Sequence, residues 1–148
     1  MPLISKEDQD VLRDRFSKSL IDPVNLVLFT QRESPLTVPA QECMYCQQTR
    51  ELLEDIAGLS EKIDLTVFDL VADADKAAEY GVDKTPAIVF DSARNVRYFG
   101  IPAGYEFSSL IEDIIDVSAG RSDLAASTKD ALQKLDRDLR VQVFVTPT

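Results

Sequence analysis

The chain has 148 residues, 45% of them hydrophobic, which is enough for one sizeable core and excludes disorder as the default. Its 16 basic residues stand against 26 acidic ones, a formal charge of −10 that opposes a nucleic-acid groove or an anionic membrane surface. Two cysteines and no histidine remove the commonest general base and the commonest zinc ligand, leaving thiols, carboxylates and backbone to supply any chemistry.

In chain order, Met1 to Asp8 lacks a basic region followed by a long apolar run, and no later stretch has the length to cross a bilayer. A soluble, cytoplasmic protein is expected, with neither membrane nor nucleic acid as partner. Ser5-Lys6-Glu7-Asp8 resembles a capping box, and Val11, Leu12, Phe16 and Leu20 recur behind it at helical spacing, which predicts a helix over about 6–20. Asp22-Pro23 ends it, and Val24 to Phe29 has the length and composition of a buried strand. Gln31 to Glu42, with Pro35 and Pro39, has no periodicity and reads as a loop. Cys43 and Cys46 follow at once and open a helix with Leu52, Leu53 and Ile56 on its apolar side, ended by Gly58.

Ile63 to Phe68 is a second strand, and Ala72 to Tyr80 a short helix stopped by Gly81. Ala87–Phe90 and Val96–Phe99 read as strands joined by a five-residue hairpin loop, Asp91 to Asn95. Phe107, Leu110, Ile111, Ile114 and Ile115 then mark a core-facing helix ending near Gly120. A βαβ half followed by a β-hairpin and a helix is an α/β sandwich with a mixed sheet. Residues 121–148 stand outside this unit: a helix beginning near Ala125 and a strand pattern from Arg140 to Thr146. The helix, Asp and apolar strand there echo the amino terminus, with Phe144-Val145-Thr146 matching Leu28-Phe29-Thr30.

Acidity is concentrated in residues 51–80, with nine acids and two bases, and in 106–126, with five acids and one base. These read as solvated helix faces.

Cys43-Met44-Tyr45-Cys46 carries the chemistry. Two residues between cysteines at the first turn of a helix bring the sulfurs within disulfide reach and aim the first thiol at unsatisfied backbone N–H groups. That placement lowers the Cys43 pKa and makes it the nucleophile, while Cys46, one turn further in, is shielded and resolves the mixed disulfide. A zinc site would need further ligands from carboxylates or another subunit. A pair of buried structural thiols is the other reading, but a strand, loop, CxxC and amphipathic helix in succession suit exchange. Thr85-Pro86 is the second element. A cis bond at this point would turn the Thr85 backbone toward the thiols, where its N–H and C=O can pair with an extended substrate strand.

This combination resembles a thioredoxin/glutaredoxin-type fold. More narrowly, Val96 to Phe107 and Ile111 to Ser118 resemble the amino-terminal unit of the glutaredoxin-like protein disulfide oxidoreductases. Members of that family carry two thioredoxin-fold units in tandem, each usually with its own CxxC. The resemblance implies a thioredoxin-like three-layer sandwich over 1–120, with a mixed central sheet flanked by helices. It makes 121–148 a linker helix and the first strand of an absent or truncated second unit. It implies thiol-disulfide exchange with protein substrates through Cys43 and Cys46, an electron-donating reductase as second partner, and no cofactor beyond the Cys43–Cys46 disulfide. Thr85, Pro86 and Tyr45 become the substrate-binding residues, Tyr45 by packing over the site or lining a groove.

The sequence departs from the family at several points. Residues 31–42 form a longer connection than usual, a lid, a docking loop or a tolerated insertion. Leu28 fills the position where many thioredoxins have a buried Asp. Glu42 beside Cys43 opposes the helix dipole if it points inward. Gly100 to Gly104 lacks the glycine pair and acidic cap that hold glutathione, which favours a protein dithiol as electron partner. Two rival functions are a non-catalytic protein-binding module presenting the acidic 51–80 face and an electron-relay domain of a flavin-dependent peroxiredoxin reductase. An apolar 140–145 strand without its own domain is an unpaired edge, expected to join this chain's own sheet or a second copy as a homodimer.

Overall fold

The computed structural model describes residues 3–32 and 43–145, in which nine elements are formed. They run α1 (Lys6–Ser19), β1 (Val24–Thr30), α2 (Cys46–Ala57), β2 (Ile63–Asp69), α3 (Ala74–Tyr80), β3 (Ala87–Phe90), β4 (Ala93–Phe99), α4 (Tyr105–Ala119) and α5 (Ala126–Gln133). The strands form one mixed sheet in the order β2-β1-β3-β4. β1 and β2 are parallel, with Val24 opposite Ile63, while β3 is antiparallel to both β1 and β4.

Alternation along β1 builds the layers. Val24, Leu26 and Leu28 face one side, where Leu12 and Phe16 of α1, Leu53 and Ile56 of α2, and Leu110 and Ile114 of α4 pack against them. Val27 and Phe29 face the other, against Ala77 and Tyr80 of α3. Three helices on one face and one on the other give the expected three-layer α/β sandwich. β1 is buried because both its faces are covered and it is paired on both edges, which is why it reads as a near-continuous apolar run.

Local chemistry sets the element ends. The Ser5 hydroxyl oxygen accepts from the Asp8 N–H at 3.1 Å, the cap foreseen for α1. Gly81 and Gly120 close α3 and α4 in the left-handed conformation, with φ of 64° and 61°. Ser118 is buried at 1% exposure. It accepts from the Ile21 N–H at 2.9 Å and donates to the Asp22 carbonyl at 2.6 Å, fastening the end of α4 to the α1–β1 connection.

The structure corrects two expectations. The hairpin turn is not five residues long: β4 begins at Ala93, leaving Asp91-Ser92 as the turn, with a register shift between Val89 and Phe90. Tyr80 fixes it by donating its hydroxyl to Asp91 at 2.5 Å, while the Arg94 guanidinium stacks 4.0 Å from the Tyr80 ring centroid. That contact between α3 and the turn is invisible to a local reading. Residues 140–145, in turn, do not form a strand and do not join this chain's sheet: Val141, Val143, Phe144 and Val145 are at least 80% exposed. A strand pattern specifies a ladder only when a partner edge is present. The α5 helix likewise buries no residue. Among the described residues no helix is long and apolar enough to cross a membrane. The loop readings for 33–42, including Glu42, lie outside the described residues.

Candidate functional site

The β1, α2 and β2 succession places the site. β1 and β2 are parallel, so α2 returns antiparallel to both and starts at the sheet end where β1 finishes. Ala87 pairs with Phe29 near that end of β1, so Thr85-Pro86, just ahead of β3, arrives there as well. The Gly100 N–H donates to the Pro86 carbonyl at 2.9 Å and brings the end of β4 alongside.

Cys43 and Cys46 are joined in a disulfide, with Cα atoms 5.4 Å apart. Helix α2 begins at Cys46, so Cys43 lies in the turn before it and not in its first turn; a linked sulfur still sits against the helix terminus. Tyr45 is the N-cap residue, with φ −115° and ψ 6°, and its side chain makes no cap hydrogen bond. The first turn of α2 contains no acidic residue. Its N–H groups and the positive end of the helix dipole therefore meet no competing carboxylate from that turn.

The two sulfurs differ in access. Cys46 is buried at 3% exposure, whereas Cys43 is partly exposed. Met44 and Tyr45 between them are 76% and 46% exposed, so Tyr45 stands at the rim of the site. Thr49, fully buried one turn into the helix, donates both its N–H, at 2.9 Å, and its hydroxyl, at 2.7 Å, to the Tyr45 carbonyl. Its role was not read from the sequence; a polar residue three places after Cys46 on an apolar face is the signal that points to it. Behind the thiols, Leu28 is fully buried in the same cluster as Leu53 and Ile56. This strand position therefore supplies packing and no carboxylate.

The Thr85–Pro86 peptide is cis. Pro86 is buried and Thr85 partly exposed, and among the described residues the Thr85 N–H and C=O make no hydrogen bond. Lys84 beside it places its ammonium 4.8 Å from the ring centroid of Phe99, which is 45% exposed. On the other side of Gly100, Ile101, Pro102 and Phe107 join Leu52 and Ile4 around a mostly apolar cleft of about 360 Å³.

Asp69, at the end of β2, holds the exit of β1. Its carboxylate accepts from the N–H groups of Arg32 at 3.0 Å, Val71 at 3.0 Å and Ala72 at 2.8 Å. These bonds, led by that from Ala72, hold its pKa below the ordinary carboxylate value despite burial. Among the described residues there is no cluster of three or more potential metal ligands.

A family model described as a thioredoxin domain matches residues 36–112. A probable thioredoxin of Methanothermobacter thermautotrophicus is 33% identical over 91 residues, covering 61% of this chain and 94% of that one. Among solved structures, a protein disulfide oxidoreductase from Aeropyrum pernix superposes with a TM-score of 0.75 at 28% identity, covering 88% of this chain. This chain spans 55% of that protein's length. The alkylhydroperoxide reductase protein AhpF of Enterococcus faecalis shares the fold, with a TM-score of 0.70 at 23% identity over 89% of this chain and 61% of its own. With a βαβ–hairpin–helix sandwich and a CxxC disulfide at the start of its second helix, the chain belongs to the thioredoxin-domain family, as a thioredoxin-fold disulfide oxidoreductase.

Proposed function

We propose that the chain exchanges its dithiol with the disulfides of protein substrates, Cys43 attacking and Cys46 resolving. The observation that carries this is the difference in access across one disulfide: Cys46 is 3% exposed while Cys43 is partly open. In the reduced enzyme the Cys43 thiolate attacks a substrate sulfur, forming a mixed disulfide and releasing a substrate thiolate that takes up a proton. Cys46 then loses its proton and attacks the Cys43 sulfur, freeing the second substrate thiol. The substrate gains two electrons and the enzyme ends as the Cys43–Cys46 disulfide. The N–H groups opening α2 stabilise the Cys43 thiolate in the role a histidine plays elsewhere.

The N–H and C=O of Thr85, unbonded among the described residues, support a binding mode in which an extended substrate segment pairs with this backbone. Tyr45 and Pro86 flank that segment. The couple must be recharged after each turnover, so a dithiol reductase is the second partner. Residues 1–120 constitute the exchange unit, and 121–148 are an appendage to it.

Trapping with a disulfide substrate, read by mass spectrometry, tests the roles. Cys46→Ser should accumulate the mixed disulfide, and Cys43→Ser should not. Equal behaviour of the two variants would overturn the assignment. Two thiols inert to reductant would instead favour a binding module.

A further inference from the structure

The two edges of the sheet are treated differently. On β4, Arg94, Asn95 and Arg97 are exposed, and Arg97 folds back to donate to the Arg94 carbonyl at 2.8 Å and the Gly81 carbonyl at 2.9 Å. Together with the register shift on its partner β3, these features blunt that edge against further pairing. β2 has no such protection. It is seven residues long and in unbroken register with β1, and its outer side pairs with no strand among the described residues. Leu65, Thr66, Val67 and Phe68 along it remain partly exposed. Leu65 and Val67 belong to the rim of one core cluster and Phe68 to the rim of the other.

The same chain carries an unused strand pattern of similar length in Arg140–Val145, exposed throughout. We propose that residues 140–145 of one copy add as a fifth, parallel strand beside β2 of a second copy, and reciprocally, closing a two-fold dimer. One register pairs like with like on both faces of the sheet. Arg140 stands opposite Asp64, Val141 opposite Leu65, Gln142 opposite Thr66, Val143 opposite Val67 and Phe144 opposite Phe68. A slip of one residue sets Arg140 against Leu65 and turns the valines to the opposite face. The antiparallel arrangement that keeps Val143 on Leu65 sets Phe144 against Asp64 and Arg140 against Phe68. Charge therefore selects the parallel register. The inference is independent of the roles assigned to the thiols.

Light scattering coupled to size exclusion, on the full chain from micromolar to submillimolar concentration, tests it. The unmodified protein should show twice the monomer mass. Gln142→Pro, which removes the N–H that this register aims at the Leu65 carbonyl on the free side of β2, should give a monomer. Asp64→Arg and Arg140→Asp should each weaken the dimer roughly tenfold, since each places like charges in both reciprocal contacts. The double swap should restore it. Circular dichroism of each variant separates loss of dimer from loss of fold. A monomer at every concentration, a dimer indifferent to Gln142→Pro, or a double swap that restores nothing would overturn the proposal. A monomer in which Gln142→Pro exposes β2 amides to hydrogen exchange would assign the strand to the chain's own edge, and would overturn it equally.

Discussion

Gly100 donates its N–H to the carbonyl oxygen of Pro86 at 2.9 Å, so the residue that follows β4 holds the residue that precedes β3. Gly100 does this with φ at +93°, a conformation that L side chains rarely adopt, and a Cβ built there would meet nothing within 4 Å. Gly100→Ala therefore acts through backbone strain alone. It should lower stability by about 1–3 kcal/mol in urea unfolding. It should also slow exchange with a peptide disulfide, since relief of that strain swings the residue-100 N–H away from the Pro86 carbonyl. Unchanged stability and rate would separate this hydrogen bond from the site.

Ser118→Ala tests the fastening of α4. The hydroxyl is buried and bridges the Ile21 N–H and the Asp22 carbonyl, so its removal strands two backbone groups. A loss of about 1–3 kcal/mol is expected, measured as a shift in the urea midpoint at constant slope. Midpoints within error of each other would mean that water replaces the hydroxyl.

Asp69 gives a pH signature. Its folded pKa lies below the unfolded one, so its contribution is fully present above the unfolded value, near 4, and is lost as pH falls through the folded value. Asp69→Asn should reduce stability by roughly 2 kcal/mol at neutral pH, because charge-assisted bonds to three N–H groups are weakened. The gap to the unmodified protein should close as the pH is lowered through the depressed folded pKa of Asp69. A gap that stays constant across this range would assign the loss to packing rather than ionisation.

In the reduced protein, alkylation of Cys43 should follow an apparent pKa below about 8.5, the value of a free cysteine, because α2 opens with no acid in its first turn. Gln47→Glu would add a carboxylate there and should raise that pKa. No shift would show that the thiolate does not feel the helix terminus.

Much of the fold was legible because its signals are local. The capping serine of α1, the stop at Gly81, the helical run through Leu110 and Ile114, and the apolar β1 all specify their elements without knowledge of neighbours. The thiol pair was legible for the same reason: CxxC at the mouth of a helix is a contiguous motif. The tight hairpin was not, because the turn depends on Tyr80, eleven residues upstream of Asp91, reaching back to it. Asp69 was missed in its link to β1, since only the fold brings the Arg32 N–H to it; its bonds to Val71 and Ala72, and those of Thr49 to Tyr45, are local.

By itself, then, the sequence determined the order and type of most elements, the Cys43–Cys46 pair at the start of a helix, and the strand pattern at 140–145. Periodicity, capping chemistry and spacing act over a few residues. Only the tertiary structure decided that Thr85 makes no backbone hydrogen bond among the described residues, that Tyr80 reaches the hairpin turn, and that 140–145 does not join the described sheet. Burial and edge pairing are properties of what surrounds a residue, and those surroundings come from segments distant in the chain.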